Sequence, residues 1–150
     1  MKRIMTLLAV PWSLGMASRL VCVHIDMGLA ALSAPLGIPP LRVFWLMWAA
    51  AFLAPGLAAA FTLPSGDARR YLAVRTLACA FGLCNLWPLL AAGRLWLNMS
   101  SLLCAAAVVL SAVCVVRFWR IDRRAGWCMA VFSAWTAYEL YVIVGFAVLN

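Results

Sequence analysis

The only glutamate of the chain, Glu139, stands 14 residues after Ala125 in a stretch, 125–150, that holds no other acidic or basic side chain. At 1.5 Å per residue that is about 21 Å along a helix, deep inside the hydrocarbon if the helix crosses a bilayer. A charged carboxylate is costly at that depth and often functional, so Glu139 is expected to be neutral or paired. Two roles stay open for it: an interhelical hydrogen bond, or contact with a ligand or a relayed proton. Asn85, Asn98 and Arg75 are the other polar groups in or beside apolar runs. The single histidine, His24, has only Asp26 nearby, too few ligands for a metal centre. Six cysteines, Cys22, Cys79, Cys84, Cys104, Cys114 and Cys128, form no CxxC pair and lie in or at the ends of apolar runs, where a thiol behaves as a small hydrophobe. There is no nucleophile–His–acid arrangement, no phosphate-binding glycine loop and no pair of carboxylates in one apolar run. No catalytic residue and no metal site is therefore expected, and ordinary hydrolysis and phosphoryl transfer are not expected either.

Aromatic side chains carry the second signal. Eight tryptophans occur in 150 residues. Trp45, Trp119 and Trp127 fall near the ends of apolar runs, where indoles favour the headgroup level of a bilayer. Phe44, Trp48 and Phe52 repeat every four residues and so share one helix face. Trp135 lies ten residues inside its run, too deep for an interfacial belt. Such rings either pack against one another or line an apolar pocket for a flat hydrophobic ligand.

These residues need a scaffold, and the composition dictates its solvent. The chain is 68% hydrophobic and 11% charged, with a mean hydropathy of +1.04, so its charged side chains are too few to cover a water-soluble fold of this size. In a bilayer an apolar exterior is no liability, and only helices or closed barrels satisfy the backbone there. Helical spans are expected near 4–25, 41–63, 70–92, 95–118 and 125–149, each about 20 residues or longer. The breakers that separate them include Pro35, Gly37, Pro39 and Pro40, the run Pro64-Ser65-Gly66-Asp67, Gly93-Arg94 and Asp122-Arg123-Arg124. The fold expected is a single all-α domain over residues 1–150, a bundle of five transmembrane helices. An alternative reading makes Met1–Ala17 a cleaved signal peptide, with Lys2-Arg3 ahead of an apolar run.

The formal net charge is +8, but the basic residues fall in clusters between apolar runs, a topology signal rather than a nucleic-acid patch. Lys2, Arg3, Arg69, Arg70, Arg75, Arg117, Arg120, Arg123 and Arg124 fall on one side; Arg42 and Arg94 fall on the other, with Arg19 between. The positive-inside rule then sets the N-terminus in the cytoplasm and the C-terminus outside. The chain reads as an integral protein of a bacterial cell membrane.

The order of these residues resembles a known family. Pro35-x-x-x-Pro39-Pro40-x-x-Val43-Phe44-x-x-x-Trp48-x-x-x-Phe52-x-x-x-Gly56 is similar to the KPxWxPPxxVFxxxWxxLYxxMG stretch of the TspO/MBR family, the tryptophan-rich sensory and translocator (peripheral benzodiazepine receptor) proteins. Asn85-Leu86-Trp87-Pro88 followed by Gly93 resembles its NxxWxPxFFG. Arg124-Ala125-Gly126, Phe132-x-x-Trp135 and Leu149-Asn150 resemble its AGxLxxPYxxWxxxAxxLNxxxxxLN. The departures are specific: Leu36-Gly37-Ile38 and Val131-Phe132 replace family Trp, Asn, Pro and Tyr positions, Val142-Ile143 replaces the first LN, Asn85 and Pro88 are each one position off, and Glu139 stands where the family has a small residue.

The resemblance implies a five-helix bundle, often a homodimer, that binds porphyrins such as protoporphyrin IX and, in some members, sterols or benzodiazepine-type compounds. Carried onto matching positions, it places Phe44, Trp48, Phe52, Asn85, Trp87 and Trp135 around the pocket. With Tyr138 and Glu139 they make up the expected ligand-binding set, and Arg42 is the candidate for meeting ligand carboxylates. A porphyrin would be a ligand rather than a required cofactor; membrane lipid is the other partner, and nucleic acid is not expected. Slow porphyrin photo-oxidation is attached to some family members, so an enzymatic role stays open. No Lys or Arg follows Arg124, so Tyr138 and Tyr141 cannot complete the sterol pattern that ends in a basic residue. A different class also stays open: a small transporter, or a subunit of a larger membrane complex, with Glu139 paired to Arg19 or Arg75. A further expectation concerns association: Ala73, Leu77, Ala78, Cys79 and Gly82 offer a small-residue face for a homodimer.

Overall fold

The computed structural model describes residues 33–62, 65–91 and 96–150. These form four α-helices: α1 (Leu41–Thr62), α2 (Arg69–Ala91), α3 (Leu97–Trp119) and α4 (Arg123–Leu149). No strand occurs among the described residues. The helices match the second to fifth expected spans to within two residues at each end. The first expected span, with Trp12, Arg19, Cys22 and His24, lies outside the described residues, as do Asp26, Arg94 and the side chains of Arg42 and Trp45.

Local chemistry sets the ends. Pro39 and Pro40 lead into α1, and the Pro40 carbonyl accepts from Val43 and Phe44 N–H at 2.8 and 3.0 Å; proline suits a first turn because its missing N–H would have had no helical partner. Asp67 and Asp122 cap α2 and α4 by accepting from the backbone N–H of Arg69 (2.8 Å) and Arg124 (2.7 Å). The Arg69 side chain also hydrogen-bonds Asp67 and holds its carboxyl below the usual carboxylate range. Pro55 and Pro88 stand inside α1 and α2, and each removes the N–H that the carbonyl four residues earlier would have used.

The helices pack in the order α1, α4, α3, α2, with the broadest interface between α3 and α4. Its register is visible residue by residue. On α3 the buried positions are Leu97, Ser100, Cys104, Ala107, Ser111, Cys114 and Phe118; on α4 they include Ala125, Met129, Phe132, Thr136, Glu139, Ile143 and Phe146. Both series step alternately by three and four, the heptad spacing of helices wound left-handedly about each other. On α3 most of these residues are small, which lets the backbones approach closely as membrane helices require. Hydroxyls add polar links: Ser111 and Thr136 Oγ lie 2.9 Å apart, with Ser133 Oγ 3.1 Å from Ser111. At the turn, a Cβ on Gly126 would lie 2.5 Å from Trp119 Cε3 and 2.9 Å from its Cα. Because backbone blocks that space, Gly126→Leu is expected to cost about 1–3 kcal/mol or more of overpacking, measured as a lower thermal midpoint in detergent.

The outside of the bundle is apolar. Leu46 (73% exposed), Leu102 (66%) and Val148 (78%) point away from the protein. Helices α3 and α4 are long and apolar enough to cross a membrane, and α1 contains a shorter apolar run, Leu46–Thr62. The small-residue face expected on α2 divides: Ala73 and Leu77 are buried within the bundle, whereas Ala78, Cys79 and Gly82 face outward. Cys79 thus departs from the expectation of buried thiols; Cys84, Cys104 and Cys114 are buried and Cys128 is half-buried.

Candidate functional site

Seven of the eight expected ligand-binding side chains fall into two adjoining clusters. The first joins α1 to α4 through rings. Phe44 lies 5.2 Å from Trp135 and 6.4 Å from Tyr138, and Trp135 lies 5.4 Å from Tyr138. One turn further along α1, Trp48 stacks on Phe52 at 4.2 Å, and Phe52 meets Phe81 of α2 and Phe132 of α4 edge-on. The fourfold spacing puts Phe44, Trp48 and Phe52 on one face of α1, from which Phe44 and Phe52 meet α4; Phe81 and Phe132 are ring partners outside the expected ligand-binding set. Phe52 is itself fully buried, so it forms the floor of the ring system.

The second cluster centres on Glu139, only 4% exposed. Trp135 Nε1 donates to its Oε1 at 2.8 Å, and Trp87 Nε1 donates to its Oε2 at 3.4 Å. The carboxyl thus ties α2 to α4 and fixes the orientation of both indoles; the shorter bond is the stronger. This is the polar partner that a tryptophan buried in a bundle needs. Arg75 is not that partner: it is exposed and stands twelve residues, about 18 Å, along α2 from Trp87. Arg19 lies outside the described residues. Asn85, the eighth expected residue, turns back on its own helix, with Nδ2 donating to the Phe81 carbonyl at 2.7 Å. Among the described residues its buried Oδ1 has no hydrogen-bond partner.

A strap, residues 33–40, lies against the end of α4 beside these clusters. Tyr141 OH donates to the Leu36 carbonyl at 2.7 Å and Tyr138 OH to that of Gly37 at 3.4 Å. Asn150 accepts from Ser33 N–H at 2.9 Å and donates to its carbonyl at 3.1 Å. Gly145 makes room for the strap: a Cβ there would lie 2.6 Å from Pro35 Cβ. Gly37 takes φ +84°, a left-handed conformation that glycine adopts without strain. Sequence spacing had given Tyr141, Gly145 and Asn150 no such structural role. Among the described residues no three metal-ligating side chains come together.

The described residues thus bring an apolar system of rings from α1, α2 and α4 together with one buried carboxyl at its side. The model of the TspO/MBR family matches residues 6–149, nearly the whole chain. No curated protein matches it.

Proposed function

The chain belongs to the TspO/MBR family, and from that membership we propose that it binds a protoporphyrin IX-type tetrapyrrole, or a similar planar hydrophobic molecule, against the rings of α1 and α4, acting as a sensor, carrier or regulator. The observation that supports this reading most is the triangle of Phe44, Trp135 and Tyr138 beside the strap. Absorbance titration of the detergent-solubilised protein with protoporphyrin IX is expected to give a saturable spectral shift. A strictly linear response would remove the reading. A second reading, a small transporter or complex subunit with Glu139 as its polar element, draws support from the burial of that carboxyl; a variant Glu139→Gln that loses stability but binds porphyrin unchanged would favour it.

In the bacterial cell membrane the protein would cross five times, with residues 4–25 as the first span, the N-terminus in the cytoplasm and the C-terminus outside. Arg117 supports the shared side of two loops, since its Nη1 donates to the Leu72 carbonyl and to Thr76 Oγ1, which brings the start of α2 to the end of α3. Cysteines introduced at Ser65 and Arg123 are expected to label from the same side of the membrane. A homodimer would use the outward face of α2, Ala78, Cys79 and Gly82. A Cβ on Gly82 meets nothing within 4 Å, so Gly82→Leu is expected to keep the thermal midpoint and to shift the detergent-solubilised mass from dimer to monomer. A wild-type protein that runs as a monomer would rule the dimer out.

A further inference from the structure

We propose that the arginine-rich end of the bundle is a docking surface for an acidic phospholipid, received by the α3–α4 turn. The contact between Arg117 and α2 gathers Arg69, Arg70, Arg75, Arg117, Arg120, Arg123 and Arg124 at one end, against two carboxylates, Asp67 and Asp122. Most local charge is already committed near α2: Arg69 pairs with Asp67 at 2.7 Å, Arg70 lies 5.0 Å from the centre of the Tyr71 ring, and Arg117 is held by α2. Asp122 is committed too, as the cap of α4. The turn is different. Arg120, Arg123 and Arg124 are exposed, and among the described residues none of their guanidinium groups pairs with a carboxylate.

What sits beneath these cations selects a lipid rather than a free anion. Trp119 and Trp127, 39% and 65% exposed, pair at 5.2 Å, and Gly126 seats Trp119 by contact with its ring and backbone. Val116 and Val131 follow, 52% and 55% exposed. Arg123, Trp127 and Val131 are spaced by four and so form one stripe of α4; Arg120, the C-cap of α3, follows Val116 by four residues. Over about 12 Å along α4 the surface passes from guanidinium to indole to aliphatic side chain, the sequence that a lipid presents as phosphate, glycerol and acyl chain. The negative headgroup meets unpaired cations, the indoles sit at the interface they favour, and the valines meet the chains.

The test uses the full chain purified in mild detergent with mixed phosphatidylglycerol and phosphatidylcholine, with retained lipid counted by native mass spectrometry. Phosphatidylglycerol should be retained over phosphatidylcholine, and the preference should fall roughly fivefold per arginine removed in Arg120→Gln and Arg123→Gln. Arg69→Gln, which removes a guanidinium already paired with Asp67, should keep it. High salt should weaken retention in the wild type, a readout that needs no variant to fold. Equal retention of the two lipids would overturn the proposal, as would unchanged preference in both turn variants. Displacement of the retained lipid by millimolar inorganic phosphate would show an anion site rather than a lipid site, and would overturn it as well. Porphyrin titration of the same samples is independent of every arm.

Discussion

Glu139→Leu is expected to lower the thermal midpoint of the protein sharply. The substitution leaves the Trp87 and Trp135 N–H groups without the acceptor they share, and each buried donor left unsatisfied costs about 1–3 kcal/mol. The two losses need not be equal, since the Trp135 bond is 2.8 Å and the Trp87 bond 3.4 Å. Glu139→Gln keeps one oxygen acceptor and nearly the same shape, so it should retain most of the stability. Thermal melts in detergent, followed by indole fluorescence, check both variants. A leucine variant that melts with the wild type would mean that the indoles do not depend on the carboxyl.

Trp135→Ala should weaken protoporphyrin IX binding by at least several-fold. This side chain touches Phe44 and Tyr138 and is oriented by Glu139, so its loss removes stacking area and unlocks the neighbouring rings; an aromatic pair contributes about 0.5–1.5 kcal/mol beyond simple burial. Trp48→Ala should act in the same direction through Phe52, on which Trp48 stacks. Trp119→Ala should change binding little, because Trp119 belongs to the α3–α4 turn and pairs with Trp127. Absorbance titrations of the three variants give the contrast. Equal losses in all three would assign the rings to general packing.

The helices were legible because apolar run length is a property of consecutive residues, and Pro39, Pro40, Asp67 and Asp122 mark their ends with local chemistry. The stripe of Phe44, Trp48 and Phe52 was legible for the same reason. The interhelical hydrogen bond left open for Glu139 was legible in its depth, but its donors were not. The residues named for an ion pair were Arg19, which lies outside the described residues, and Arg75, which is exposed, whereas among the described residues two indole N–H groups meet the carboxyl, one four residues away and one on another helix. Such a choice depends on which helix lies beside α4, and no run of residues states that. The heptad of Ser100, Cys104, Ala107, Ser111 and Cys114 stands in the spacing of α3, but only its pairing with the matching heptad of α4 shows what it packs against. The strap was hidden differently: its hydrogen bonds join Gly37 to Tyr138, Leu36 to Tyr141 and Ser33 to Asn150, and distant pairings leave no local pattern.

Those strap bonds also order events in biogenesis. Each links residues more than 100 positions apart, a loop whose closure gains nothing until both ends are in place. While the ribosome is still producing α4, the 33–40 segment has no Tyr141 hydroxyl, no Gly145 surface and no Asn150 amide to meet. Helix pairs such as α2 and α3 can associate as they emerge, but the ring cluster and its strap assemble only after the final helix has been released into the membrane. A chain truncated before Trp135 would therefore make its earlier helices and still lack both the rings that meet Phe44 and the hydroxyls and amide that hold the strap.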